Sequence, residues 1–116
     1  MVFEVVRSAD SDRDLSLILD HLIESYITLG DRLPDGFDRA AARIHAIEAD
    51  MEALAQAPYQ ETLLPAVAPG LRRVTKNRAI FYFDVDDERQ LVRVLAVFFG
   101  RQDHRHHFLK RLGQAE

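Results

Sequence analysis

The sequence predicts an α+β fold of two layers, an antiparallel helical hairpin packed on an antiparallel sheet, with a strand before the hairpin and a short helix at the C-terminus. Two observations carry this prediction. Between Leu15 and Leu54 apolar residues recur at spacings of three and four, the signature of helices with one buried face. From Leu71 to Phe99 the pattern changes to short runs of β-branched and aromatic residues separated by tight turns, which makes sequential strands antiparallel neighbours.

Val2 to Arg7 is β-branched and aromatic and reads as the first strand. Ser8 and Asp10 are helix-capping residues, and Asp10, Asp12 and Asp14 suit the positive end of a helix dipole. Leu15, Ile18, Leu19, Leu22, Tyr26 and Leu29 then form one face, and Gly30 supplies the stop. Leu33 to Gly36, with Pro34 and Asp35, reads as a turn. The second helix is marked by Phe37, Ala41, Ile44, Ile47, Met51 and Leu54 and is ended by Pro58; Phe37 and Met51 fit its core face. Tyr59 to Pro69 has no period and reads as an irregular connector. Strands follow at Leu71–Thr75, Arg78–Val85 and Leu91–Phe99, with turns at Lys76–Asn77 and Asp86–Arg89. Asp103 to Leu112 forms the last helix, capped by Asp103, with Phe108, Leu109 and Leu112 inward. The sheet face away from the hairpin is left over in this arrangement, and is the natural place for function.

A chain of 116 residues suits one domain, here expected to span 1–116, and 47% apolar residues suffice for its core. Cysteine is absent, which excludes disulfides and thiolate metal or redox chemistry. No apolar run approaches the roughly 18 residues of a membrane span, and the N-terminus lacks a signal-peptide layout, so a cytoplasmic protein without membrane contact is expected. Charge is uneven: residues 1–69 hold 5 basic and 13 acidic side chains, a net of −8, while residues 70–116 net +4. Either an anionic partner docks on the basic half, or two acidic helices simply face solvent.

Two groups of side chains are candidates for chemistry. Arg72, Arg73, Lys76 and Arg78 surround one hairpin, as a phosphate grip or as a solvated turn. Asp103, His104, His106 and His107 offer imidazoles that titrate near neutral pH. On a helix His104 and His107 share a face while His106 points elsewhere, too few ligands for a closed metal site. No metal or cofactor is therefore expected. His21 and His45 read as surface residues of the hairpin, and Tyr82 as half-buried with its hydroxyl at a polar edge.

The element order and several residues resemble the RelE/ParE toxin superfamily across nearly the whole chain. The N-terminal part of the resemblance lies in Ser8, Asp14, Leu15 and Ile18, then Leu54 and Pro58. Its stronger part is Arg72, Tyr82, Gly100 and Asp103, within the stretches Ala79–Asp84 and Leu91–Gly100. Two departures stand out: Tyr59 and a longer connector where the family often has Gly, and Phe99 where it favours His.

The resemblance implies the toxin of a type II toxin–antitoxin system that inhibits growth and is neutralised by a cognate antitoxin. RelE-like members cut messenger RNA on the ribosome, whereas ParE-like members inhibit DNA gyrase without nuclease activity. A net charge of −4 disfavours docking on ribosomal phosphates, and the missing His before Gly100 resembles the ParE-like end, so a non-enzymatic gyrase inhibitor is expected. Its expected target contacts are Arg72, Arg73, Arg78, Tyr82 and the cationic segment with Arg101, Arg105, Lys110 and Arg111. Ile23 and Ile27 are expected in the antitoxin groove or, equally, in the core. The alternatives are an mRNA endoribonuclease, with His104 or His107 as acid–base and Arg72 and Arg78 as phosphate clamps, and a non-toxic homologue that only binds the antitoxin.

Overall fold

The computed structural model describes residues 3–60, 62–65, 67–100 and 110–111. Its elements run β1 (Glu4–Arg7), α1 (Ala9–Thr28), α2 (Leu33–Glu52), β2 (Thr62–Leu63), β3 (Arg72–Lys76), β4 (Ala79–Asp86) and β5 (Leu91–Phe99), with 3₁₀ turns at Ala53–Gln56 and Pro58–Gln60. The five strands form one sheet in the order β1-β5-β4-β3-β2, with the helical hairpin across one face. The expected two-layer α+β arrangement is present, but the sheet is mixed. β1 pairs in parallel with β5, Glu4 opposite Leu91 and Arg7 opposite Val94. The chain leaves β1 into the helices and returns along β5 only at the end of the meander, so no tight turn forces the two to run opposite ways.

Ser8 caps α1 from extended backbone: its hydroxyl accepts the Ser11 amide at 3.0 Å, while the Ser11 hydroxyl donates to the Ser8 carbonyl at 2.8 Å. At the other end the Gly30 amide reaches Ile27 and the Asp31 amide reaches Tyr26, with Gly30 at φ +112°. The stretch Leu33–Gly36 is the first turn of α2 and not a free turn. Proline is tolerated there because a first-turn residue donates no intrahelical N–H and proline's fixed φ is already helical. The link between the helices is therefore only residues 29–32.

A second correction concerns Phe37, which is 50% exposed. The face of α2 that meets the core is Gly36, Ala40, Ile47 and Met51, one position out of step with Phe37. Gly36 lets the helices approach: a Cβ there would sit 3.4 Å from Ile27 Cγ1 and 3.6 Å from Tyr26 Cβ. Arg39 clasps the same end, stacking 4.0 Å over the Tyr26 ring and bonding Asp31 at 2.7 Å.

The main core joins Leu15, Ile18 and Leu22 of α1 and Ile47 and Met51 of α2 to Phe81, Phe83, Val92, Val94 and Val97 of the sheet. The other sheet face carries a second apolar cluster of Leu71, Ile80, Tyr82, Ala96 and Phe98, against which Leu64, Val67, Ala68 and Leu95 pack. The connector read as irregular is what supplies that cover. It contributes β2, paired antiparallel with β3 through Thr62–Arg73 and Leu63–Arg72. It then folds back through amide bonds from Leu64 to the Leu71 carbonyl and from Leu71 to the Ala68 carbonyl. So β4 is buried on both faces, which explains its unbroken apolar run Ala79–Phe83. The β3–β4 hairpin turns at Asn77–Arg78, one residue later than expected, because Lys76 still pairs with Ala79. The expected terminal helix lies outside the described residues apart from Lys110 and Arg111, which are helical.

Candidate functional site

The four cations of the β3–β4 hairpin do not converge. Arg72 and Lys76 share a strand parity with Val74, which faces the helices, whereas Arg73 sits opposite Tyr82 with the other parity. Arg72 donates to the Tyr59 carbonyl at 3.2 Å and stacks 5.3 Å from the Tyr59 ring, outside the main core. Arg78 occupies the turn itself, with its guanidinium carbon 5.8 Å from the centre of the Phe99 ring.

Tyr82 is not half-buried. It is 1% exposed and meets Phe98 edge-on at 6.0 Å, so its ring is core and presents no surface to a target. The sheet face expected to be left over is thus occupied at its centre.

Of the C-terminal cations, Lys110 is exposed. Arg111 is committed to Asp14: Nη2 reaches Oδ1 at 2.8 Å and Nη1 reaches Oδ2 at 3.0 Å, while Oδ2 also accepts the Val97 amide at 3.0 Å. The Asp14 hydrogen bonds hold the Arg111 guanidinium above the ordinary arginine range, against a burial cost that pulls the other way. The same guanidinium stands 5.6 Å over the Phe98 ring. One carboxylate therefore joins α1, β5 and residue 111. Asp14 thus does more than suit the helix dipole; the sequence signal for this is its place on the buried stripe Ser11, Asp14, Leu15, Ile18, Leu22, where an acid requires a partner. Arg101, Arg105 and the histidines His104, His106 and His107 lie outside the described residues.

Ile23 is partly buried against the main core, while Ile27 is 40% exposed beside Gly36. Ile27 lies at the same end of the hairpin as Leu29, Leu33 and Phe37, all exposed, so this end of the helical layer presents apolar side chains to solvent. His21 and His45 are both on exposed helix positions, His45 3.6 Å from Glu48. Among the described residues no group of three or more His, Asp or Glu side chains could hold a metal ion, and no helix is long and apolar enough to cross a membrane.

A further ion-pair centre ties the layers together. Arg7 at the end of β1 bonds Glu48 of α2 at 2.6 Å and Asp12 of α1 at 2.7 Å. It is matched on the sheet by the Arg93–Asp84 pair between neighbouring strands, at 2.7 Å and 3.1 Å.

No family model matches the sequence, and no curated relative matches it at a significant level. Solved structures do resemble it. A chain of the chromosomal ParDE toxin–antitoxin system of P. aeruginosa superposes with a TM-score of 0.63 at 21% identity, covering 84% of this chain and 96% of that one. A chain of the RelBE2 toxin–antitoxin complex of Mycobacterium tuberculosis gives 0.59 at 17% identity, over 86% and 100% of the two chains. A mutant of the E. coli toxin RelE in the free state gives 0.58 at 9% identity, over 92% and 93%. This chain, a helical hairpin laid on a five-stranded sheet whose N-terminal edge strand runs parallel to its neighbour, thus shares its fold with these three structures.

Proposed function

We propose that this chain is the toxin of a type II toxin–antitoxin pair, of the ParE-like kind, that inhibits DNA gyrase without cleaving RNA and is neutralised by a cognate antitoxin. The observation that carries the toxin reading is the superposition on the ParDE chain over 84% of this sequence. Two features favour the non-enzymatic branch. An RNA-cleaving site needs several cations converging on one scissile phosphate, and here Arg72, Arg73 and Arg78 point to three different places. The net charge of −4 works against a ribosomal phosphate surface. The antitoxin would take the apolar hairpin end around Ile27, where a partner helix or strand gains buried area at low cost.

Induction of the chain alone in a bacterial host tests the proposal. Growth arrest with loss of supercoiling activity in a purified gyrase assay, and with intact mRNA, is the expected result. Ribosome-dependent mRNA cleavage with unaffected gyrase would replace the gyrase reading with the endoribonuclease one. Undisturbed growth without the antitoxin would leave only a binding homologue.

A further inference from the structure

At the tip of the β3–β4 hairpin three separate elements meet: Arg43 of α2, the turn residues Asn77 and Arg78, and Phe99 at the end of β5. The guanidinium carbons of Arg43 and Arg78 stand 5.4 Å and 5.8 Å from the centre of the same Phe99 ring. The ring attracts each cation, but it carries no net charge to neutralise either. Several arginines of this acidic protein reach a carboxylate: Arg7, Arg39 and Arg93 within 2.7 Å, Arg111 within 2.8 Å and Arg13 at 3.0 Å. Among the described residues neither Arg43 nor Arg78 has such a partner. Asp50, the acid at this corner, is bonded instead to the Asn77 side-chain amide at 2.9 Å.

The backbone makes the same point independently. Asn77 and Arg78 have φ of +50° and +70°, the conformation of a two-residue hairpin turn whose second position ordinarily belongs to glycine. Asparagine tolerates it; arginine is strained there. The strain is held by bonds from three sides: Arg43 Nη2 to the Asn77 carbonyl at 3.1 Å, the Gly100 amide to the Arg78 carbonyl at 3.1 Å, and Asn77 to Asp50. Residue 78 is an arginine in spite of its backbone, so its side chain is the reason for its identity, and the turn that displays it is pinned in place.

We infer that Arg43 and Arg78, backed by Phe99, form an oxyanion site that binds a phosphate group. A guanidinium fork matches phosphate oxygens two at a time, and two unpaired cations call for more negative charge than one carboxylate carries. The group can come from a nucleic-acid backbone or from a small phosphate ester. The site is independent of which cellular target the toxin reading names.

The test uses the full chain and follows amide chemical shifts and calorimetric heats on titration with pyrophosphate, a nucleoside triphosphate, a single-stranded DNA oligonucleotide and a poly-glutamate peptide. Shifts centred on residues 43, 77–78 and 99 are expected, with binding weakened at least tenfold in both Arg43→Gln and Arg78→Gln and unchanged in Arg32→Gln. The oligonucleotide binding more tightly than pyrophosphate identifies a nucleic acid as the source of the phosphate; the reverse order identifies a small ester. Arg78→Gly separates binding from folding, because it relaxes the turn: it should unfold no more easily than the parent while losing the ligand. No binding at millimolar concentration, equal loss in Arg32→Gln, full binding by Arg78→Gly, or poly-glutamate competing as well as pyrophosphate would each overturn the assignment.

Discussion

Replacing Asp14 by alanine removes the carboxylate that fastens α1 to β5 and to Arg111, and the structure sets the size of the effect. The side chain is 6% exposed and accepts three N–H groups, one from Val97 and two from Arg111. In the variant the buried Val97 amide loses its acceptor, a loss of about 1–3 kcal/mol. Arg111 loses its bidentate partner, but its side chain is 29% exposed, so water recovers much of that bond and about 1 kcal/mol remains. The total of about 2–4 kcal/mol lies near the lower part of the range for breaking a buried pair. For a chain of this size it corresponds to a fall in Tm of roughly 10 °C. Asp14→Asn keeps an acceptor for Val97 and should lose about half as much. Urea and thermal unfolding of Asp14→Ala, Arg111→Ala and the double variant give the coupling, expected at about 1–2 kcal/mol. A coupling indistinguishable from zero, or an Asp14→Ala variant within about 0.5 kcal/mol of the parent, would show that the carboxylate does not join these elements in solution.

Met51→Ala and Phe37→Ala should part sharply under urea. The first opens a cavity in the main core and costs about 2–4 kcal/mol, whereas the second truncates a half-exposed ring and costs less than about 1 kcal/mol. Tyr82→Ala should cost about 3–5 kcal/mol, since the ring is buried on Phe98, so any loss of activity in that variant should track loss of folded protein in circular dichroism. Gly100 sits at φ +78° with nothing within 4 Å of an added Cβ, so Gly100→Ala tests backbone strain alone and should cost about 1 kcal/mol in thermal unfolding.

Local patterns revealed most of the elements. The cap at Ser8, the stop at Gly30 and the span Leu91–Phe99 are each fixed by residues within a turn or a strand of one another, and the structure has them where the sequence places them. What stayed hidden depends on partners far along the chain. Two residues, Thr62 and Leu63, are too few to show a period, and they become a strand only because β3 offers them an edge. The parallel pairing of β1 with β5 joins residues some ninety positions apart and leaves no mark on either segment. Asp14 was visible as an acid on a buried stripe, but its donors are at 97 and 111. Phe37 was misplaced because a helix of small residues, Gly36 and Ala40, packs by close approach and not by bulk. Of the candidate site, the cations of the hairpin were legible as types but not as directions. Neighbours on a strand face opposite ways, so Arg72 and Arg73 were bound to separate.

That separation determines where a partner can act. An open, concave sheet face would let Arg73, Tyr82 and the C-terminal cations address one ligand together. Here the centre of that face is filled by Tyr82, Phe98, Ile80 and Leu71 and roofed by Leu64, Val67 and Ala68, with Arg111 drawn onto Phe98 and into the Asp14 pair. Burying those aromatic rings stabilises a chain of 116 residues that has no disulfide to help it. Among the described residues, two surfaces able to recognise something lie at the ends of the fold: the apolar end of the hairpin around Ile27, Leu29, Leu33 and Phe37, and the Arg43–Arg78 corner at the β3–β4 turn. The first has the chemistry of a protein partner and the second that of an anion. On the proposed toxin reading, antitoxin and target would meet different surfaces, and neutralisation would then work through the shape of the complex and not through competition for one set of side chains.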